Sequence, residues 1–99
     1  MPRQKARRVR SHPGEILDHE FLKPLGLSAR QLAEAIAVPA NRVREIINER
    51  RGVSADTAHR LGRYFRTSPE FWMNLQTAHD LSKAVADRDY SKLPQRNAA

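Results

Sequence analysis

The chain has 99 residues, enough for one small domain, and 39% of them are hydrophobic. Its formal net charge of +7 indicates a polyanionic partner, with nucleic acid as the first candidate and an anionic membrane surface as the second. The absence of cysteine excludes disulfides, thiolate catalysis and cysteine-ligated zinc, and it suits the reducing cytoplasm. The basic N-terminus precedes no apolar stretch, and no run approaches the ~18–20 apolar residues of a membrane span, so we expect neither a secretory signal nor a membrane protein.

The basic side chains are unevenly distributed along the chain. Residues 1–10 carry five basic side chains and no acidic one, and residues 40–66 carry seven basic and three acidic ones. The intervening stretch, residues 11–39, and the following one, residues 67–87, each carry a net charge of −2. This segregation favours a defined basic surface, although a solvated charged face remains the alternative for any single cluster.

Hydrophobic residues recur at helical spacing through the middle of the chain, and no segment alternates as a strand would. We therefore expect an all-α fold of five helices. The chain divides into a basic arm over residues 1–11, expected to be flexible, one helical domain over residues 12–87 and a polar tail over residues 88–99.

The first helix is expected to start where Ser11 or His12 caps it, because Pro13 then occupies an early position that needs no N–H. Its apolar face consists of Ile16, Leu17, Phe21 and Leu22. The residues expected to end it are Lys23-Pro24 and Gly26.

Two short helices follow. Ser28 and Gln31 fit a capping box at the start of the second helix. Val38-Pro39 ends that helix, and the third begins at once. Their buried face is expected to consist of Leu32, Ala33, Ile36 and Ala37, followed by Val43, Ile46 and Ile47.

The last two helices also have clear start signals. Ser54 caps the fourth, and Ser68-Pro69-Glu70 starts a longer fifth helix that continues to about Asp87. The inward residues are expected to be Ala58, Leu61 and Phe65 on the fourth helix and Phe71, Leu75, Ala78 and Val85 on the fifth.

Residues 28–48 are interpreted as a helix-turn-helix motif. Two helices joined by a tight turn cross steeply only where small residues line their contact, and Ala33 and Ala37 meet that need. Val38 fills the gap between the helices. The turn position that is usually glycine is Ala37 here, which costs ~1 kcal/mol if the backbone needs a positive φ there.

The outer face of the third helix has the side chains that a DNA reader needs, because the N-terminal part of this helix meets base edges in the major groove. By donor and acceptor pattern, Asn41 suits adenine, Arg42 or Arg44 guanine, Glu45 cytosine, and the methyl group of Ala40 thymine. The candidate base-reading residues are Pro39, Ala40, Asn41, Arg42, Arg44 and Glu45, and the candidate phosphate contacts are Ser28, Arg30, Asn48, Arg50 and Arg51. The alternative is an ordinary helical hairpin with an arginine-rich solvated face.

The sequence does not indicate a catalytic, metal or cofactor site. The four histidines have no ligand spacing, and the helix around His19 lacks the second histidine of a zinc protease. A hydrated acidic face explains Glu15, Asp18 and Glu20 better than a carboxylate cluster does. No glycine-rich phosphate loop or nucleophile motif occurs, so we expect a binding protein and no enzyme.

The stretch from Ser11 to Leu81 resembles the HigA, or VapI, antitoxins of the phage-repressor-like helix-turn-helix group. Four phrases carry the resemblance: His12-Pro13-Gly14-Glu15-Ile16-Leu17, Leu27-Ser28-Ala29-Arg30-Gln31-Leu32-Ala33, Asn48-Glu49-Arg50-Arg51-Gly52-Val53-Ser54, and Thr67-Ser68-Pro69-Glu70-Phe71-Trp72-Met73-Asn74-Leu75-Gln76. The resemblance implies a five-helix fold, a homodimer on a palindromic operator in its own promoter, and a small basic toxin partner that is a ribosome-dependent mRNA endonuclease. The basic arm and the last dozen residues lie outside the resemblance.

A dimer is also attractive on physical grounds, because two recognition helices one DNA turn apart, ~34–36 Å, roughly double the contact of one. The residues considered for its interface are Phe71, Trp72 and Leu75, for which an ordinary core role is the alternative. Two other functions stay open: a stand-alone repressor of a prophage or operon with no toxin, and a protein-binding adaptor whose basic face meets an acidic protein.

Overall fold

The computed structural model describes residues 8–97, which form five helices and no β-strand, as the hydrophobic pattern predicts. Helix α1 spans residues 13–25. The helices that follow it are α2 (Ala29–Ile36), α3 (Ala40–Ile47), α4 (Ala55–Phe65) and α5 (Pro69–Asp87).

Helix α1 begins as expected and ends at Gly26, one of the residues expected to end it. The ring nitrogen Nδ1 of His12 accepts the Gly14 N–H at 2.9 Å and so caps the helix. The helix is α-helical over Pro13–Ile16, π-helical over Leu17–Leu22 and α-helical again over Lys23–Leu25.

The expectation that Lys23-Pro24 ends α1 is therefore wrong. Pro24 lies inside the last turn, and the helix ends at Gly26, whose φ of 63° is left-handed. Pro24 has no N–H to donate, and the wider π-helical turns before it give its ring room that a regular α-helix would not give.

The core is one cluster to which every helix contributes. Trp72 is fully buried within it, and its indole Nε1–H donates to Thr67 Oγ1 at 2.8 Å. The other large core side chains are Leu17 and Leu22 on α1, Leu32 and Ile36 on α2, Val43 and Ile46 on α3, and Leu61 on α4.

The suggestion that Trp72 lies in a dimer interface is wrong, because this side chain is 0% exposed in the single chain. Its neighbour Phe71 is 37% exposed and packs edge-on against the indole, with ring centroids 5.0 Å apart. Adjacent residues on a helix point about 100° apart, so Trp72 faces the core and Phe71 lies at its edge. Leu75 is half-buried.

The α2–α3 turn has the backbone strain that the sequence suggested. Ala37 has φ 60° and ψ 48°, the left-handed conformation for which glycine is preferred. The N–H of Val38 donates to the Ala33 carbonyl at 3.0 Å and so closes the end of α2.

The N-terminal end of the described chain contacts α5, whereas the C-terminal end extends beyond it. The Arg10 N–H donates to Ser82 Oγ at 2.7 Å, and the Arg10 carbonyl oxygen lies 2.8 Å from Nδ1 of His79. Arg10 is therefore held on α5. The basic residues Arg3, Lys5 and Arg7 lie outside the described residues. Residues 88–97 are exposed and lie beyond the last helix.

Candidate nucleic-acid interface

Helix α3 presents a polar face to the outside. Pro39 is its N-cap, with φ −62° and ψ 142°, and the helix continues to Ile47. Val43 and Ile46 are each 1% exposed and fix the inner face, because they are part of the core. The opposite face is left with Asn41, Arg44 and Asn48, all exposed.

The predicted base-reading residues are not equally accessible. Asn41 and Arg44 are exposed, whereas Ala40, Arg42 and Glu45 are half-buried. Among the predicted base-reading residues, Asn41 and Arg44 therefore carry the accessible donors and acceptors.

Two of the predicted contacts pair with each other. The Arg51 guanidinium Nε donates to Glu45 Oε1 at 2.8 Å. Glu45 thus has one carboxylate oxygen engaged, and the charge of Arg51 is partly balanced. Surface pairs of this kind contribute only about 0–1 kcal/mol, so a phosphate can replace the carboxylate at little cost.

The predicted phosphate contacts border α3 on both sides. Ser28 caps α2: its Oγ accepts the Gln31 N–H at 3.0 Å, and Gln31 Oε1 accepts the Ser28 N–H at 2.9 Å. Arg30 is exposed, and its Nε lies 3.7 Å from Oε2 of Glu34. Beyond α3, Asn48, Arg50 and Arg51 are all exposed.

The imidazole of His12 caps the start of α1. Burial lowers the pKa of His12, and the neighbouring His79 lowers it further, while Glu49 and Asp80 act in the opposite direction. The two imidazole rings pack edge-on with centroids 4.8 Å apart. The neutral ring is the form that can accept the Gly14 N–H, so His12 has a structural role as a cap.

Within residues 8–97, no three histidine or acidic side chains lie close enough together to hold a metal ion. In the same part of the chain, no helix is long and apolar enough to cross a membrane.

The chain is similar to known helix-turn-helix proteins. A helix-turn-helix family model matches residues 19–72. Virulence-associated protein I of Dichelobacter nodosus is 54% identical over 77 residues, 78% of this chain and 71% of that protein. The Pseudomonas aeruginosa antitoxin HigA, solved with the higBA promoter, is 53% identical with a TM-score of 0.76, over 78% of this chain and 84% of that one.

The chain belongs to the HigA-type helix-turn-helix family. The antitoxin GraA, solved in complex with its operator, resembles it over a still larger part: it is 45% identical with a TM-score of 0.82, over 93% of this chain and 95% of that one. The resemblance inferred from the four sequence phrases is confirmed.

In this HigA-type chain, two residues that the sequence analysis did not single out contact the segments on either side of α3. Gln76 on α5 accepts the Val53 N–H at 2.7 Å through Oε1 and donates through Nε2 to Asp80 Oδ1 at 2.9 Å. It thereby fixes the loop after α3. No spacing signal marks it, because the contact joins residues 23 positions apart.

Arg60 on α4 is a second missed residue. One of its guanidinium nitrogens, Nη1, donates to the carbonyl oxygens of Ile36 and Ala37 at 2.8 and 3.2 Å, at the helix-turn-helix turn. No local sequence pattern distinguishes Arg60 from the other arginines of the chain.

Proposed function

We propose that this chain is a sequence-specific DNA-binding antitoxin that represses its own operon as a homodimer and neutralises a toxin partner. The observation that carries the DNA-binding part is the exposed polar face of α3, with Asn41 and Arg44 free and flanked by the basic residues Arg30, Arg50 and Arg51. Relatives of this chain have been solved with a promoter and with an operator. Such a role is exercised in the cytoplasm, where a bacterial operator lies.

The proposed docking places the N-terminal half of α3 in the major groove. Asn41 pairs with adenine and Arg44 with guanine, each in a bidentate contact worth about 1–3 kcal/mol of discrimination. The start of α2 and the loop after α3 then reach phosphates on either side through Arg30 and Arg50. Arg51 exchanges its Glu45 partner for a phosphate, which leaves the Glu45 carboxylate free to accept from cytosine.

The proposed dimer forms through α5. Phe71, Leu81 and Val85 are 37%, 66% and 40% exposed, and their spacing places them along one side of the helix, next to the half-buried Leu75. Exposed apolar side chains in such a stripe favour a protein interface. A second copy provides the second recognition helix that a palindromic site requires.

The antitoxin part rests on the relatives, which are named antitoxins. The proposed partner is a small basic toxin that cleaves mRNA on the ribosome. The second candidate is a repressor without a toxin, and a relative named only as an HTH-type transcriptional regulator, from Escherichia coli and 42% identical, favours keeping it.

The DNA-binding proposal is tested by gel shift with the promoter region of the chain's own gene and a random duplex of equal length. We expect Asn41→Ala or Arg44→Ala to abolish the preference for the promoter, because each removes a base-edge contact. Arg51→Ala is expected to weaken binding to both duplexes about equally and to reduce its salt dependence. Arg96→Ala, in the exposed tail, is the control and changes neither quantity. Full promoter preference in the Asn41 and Arg44 variants would show that α3 is not the reading helix.

The antitoxin and the stand-alone repressor are separated by co-expression with the small protein encoded next to this gene. Co-purification of the two proteins, together with relief of growth arrest, supports the antitoxin. A neighbour that neither binds nor arrests growth, or no such neighbour, favours the stand-alone repressor.

A further inference from the structure

We propose that Arg60 is a positioning residue that stabilises the helix-turn-helix turn where the chain lacks the usual glycine, and that it thereby sets operator preference. The inference rests on the proposed DNA-binding function. It concerns a residue on α4, outside the surface proposed to meet DNA.

The turn poses a specific backbone problem. Ala37 is left-handed at φ 60°, a conformation that its Cβ disfavours and that glycine adopts freely. The carbonyl of Ile36, the last residue of α2, also accepts no N–H from its own helix, so it needs a donor from elsewhere. The left-handed backbone and the carbonyl without a donor both lie in the turn that leads into α3.

Arg60 supplies the missing donors. Its Nη1 donates to the Ile36 carbonyl at 2.8 Å and to the Ala37 carbonyl at 3.2 Å, on the two sides of the left-handed residue. A cation at this place also interacts favourably with the negative end of the α2 dipole. The guanidinium therefore favours the strained turn conformation over its alternatives.

Asp56, one turn earlier on α4, orients this guanidinium. Its Oδ2 accepts from Arg60 Nε at 2.9 Å and lies 4.0 Å from Nη1 of Arg42, in the first turn of α3. Because Nε is held by Asp56, Nη1 is directed to the carbonyls. Helix α4 thus contacts both the turn and the start of the recognition helix.

Loss of these contacts should affect base reading more than phosphate contact. Asn41 and Arg44 follow the turn directly, and a tilt of α3 misplaces both donors against base edges, whose contacts are directional. Phosphate contacts from Arg30 and Arg50 tolerate such a shift better, because they depend mainly on charge.

The experiment is a double-mutant cycle with Arg60→Met and Ala37→Gly, with the wild-type chain and the own-promoter and random duplexes as probes. The readouts are the ratio of the two affinities and the thermal unfolding midpoint. We expect Arg60→Met to lower the affinity ratio at least tenfold while random-duplex affinity falls less than threefold. In the Ala37→Gly background the same change should lower the ratio less than threefold, because glycine adopts the turn without help.

Arg63→Met is the matched control, since Arg63 is an exposed arginine on the same helix with no hydrogen bond or ion pair among the described contacts. It removes the same charge, and we expect the affinity ratio to stay unchanged. An equal effect of Arg60→Met and Arg63→Met would overturn the proposal, as would an equal effect of Arg60→Met in both backgrounds.

A wild-type chain without promoter preference would refute the proposed function, and with it the effect of Arg60 on operator preference, but it would leave the stabilisation of the turn open to test. The unfolding midpoints still decide the latter, because coupling between Arg60 and Ala37 appears there without DNA. If Arg60→Met does not fold, recovery of folding by Ala37→Gly supports the proposal, and failure of that recovery overturns it.

Discussion

At the scale of single residues, Gly14 determines how closely α1 approaches α3. A Cβ built on Gly14 would overlap the backbone carbonyl oxygen of Ile46 on α3. A methyl group there cannot be accommodated by a side-chain rotation, because the opposing atom is backbone. The contact therefore requires the absence of a side chain.

We expect Gly14→Ala to lower the free energy of unfolding by at least about 2 kcal/mol, as overpacking against a rigid neighbour does. Gly26→Ala is the comparison, because Gly26 has φ +63° with open space around its Cβ position. It should cost only about 1 kcal/mol, from left-handed strain alone. Urea denaturation at fixed protein concentration measures both, and equal costs would contradict the close approach at Gly14.

His12 makes stability depend on pH. Burial and His79 lower the pKa of His12 in the folded chain, against the opposing charges of Glu49 and Asp80, while the unfolded chain titrates near 6.5. Between the two values the unfolded state binds more protons. This contribution to stability is therefore complete above about pH 6.5 and is lost as the pH falls toward the lowered value.

The measurement is urea denaturation at pH 7.5 and pH 5.5 for the wild type and His12→Asn. Asparagine is a good N-cap that does not titrate in this range, so the variant should lose less stability than the wild type on acidification. Identical losses would show that His12 does not contribute to the pH dependence.

At the scale of helices, the ends of the elements store strain. Arg66 is the C-cap of α4 and has φ 62°, and Ala37 and Glu49 are also left-handed without being glycine. Such residues cost roughly 1–2 kcal/mol each relative to their right-handed conformations. Three helix starts, by contrast, are well capped, because Ser28, Ser54 and Ser68 all accept side-chain hydrogen bonds from their first turns.

Arg66→Gly should therefore raise the free energy of unfolding by about 0.5–1 kcal/mol, since relief of strain exceeds the extra entropy of the unfolded chain. Arg88→Gly is the matched control, because Arg88 has an extended φ of −153° after α5. It should give no gain. Thermal unfolding of the three proteins at one concentration measures the difference, and a loss of stability in Arg66→Gly would refute the strain argument.

At the scale of the whole molecule, the apolar stripe of α5 predicts association. We expect the wild-type chain to sediment at about twice its chain mass at micromolar concentration. Leu81→Glu should shift it toward the monomer, because it places a charge in the proposed interface. Leu93→Glu, at a side chain 64% exposed against 66% for Leu81, is the control and should leave the dimer intact. A monomeric wild type would contradict the dimer.

The sequence by itself determined much of the architecture. Helix starts at Ser28, Ser54 and Ser68 are local hydrogen bonds over three residues, so short patterns reveal them. The spacing of apolar residues is also local, and it assigned Val43 and Ile46 to the inner face of α3. It thereby left Asn41 and Arg44 on the outer face. The basic middle of the chain and the four family phrases then indicated DNA.

Only the tertiary structure decided which of these side chains are exposed and which partners they contact. It buried Trp72 beside the exposed Phe71, paired Glu45 with Arg51, and brought Arg60 to the Ala37 carbonyl. These outcomes depend on how the helices pack against one another, and the contacts from Arg60 and Gln76 join residues 23 or 24 positions apart. Local spacing specifies the direction of a side chain on its own helix, whereas the partner it meets is set by the packing of the core.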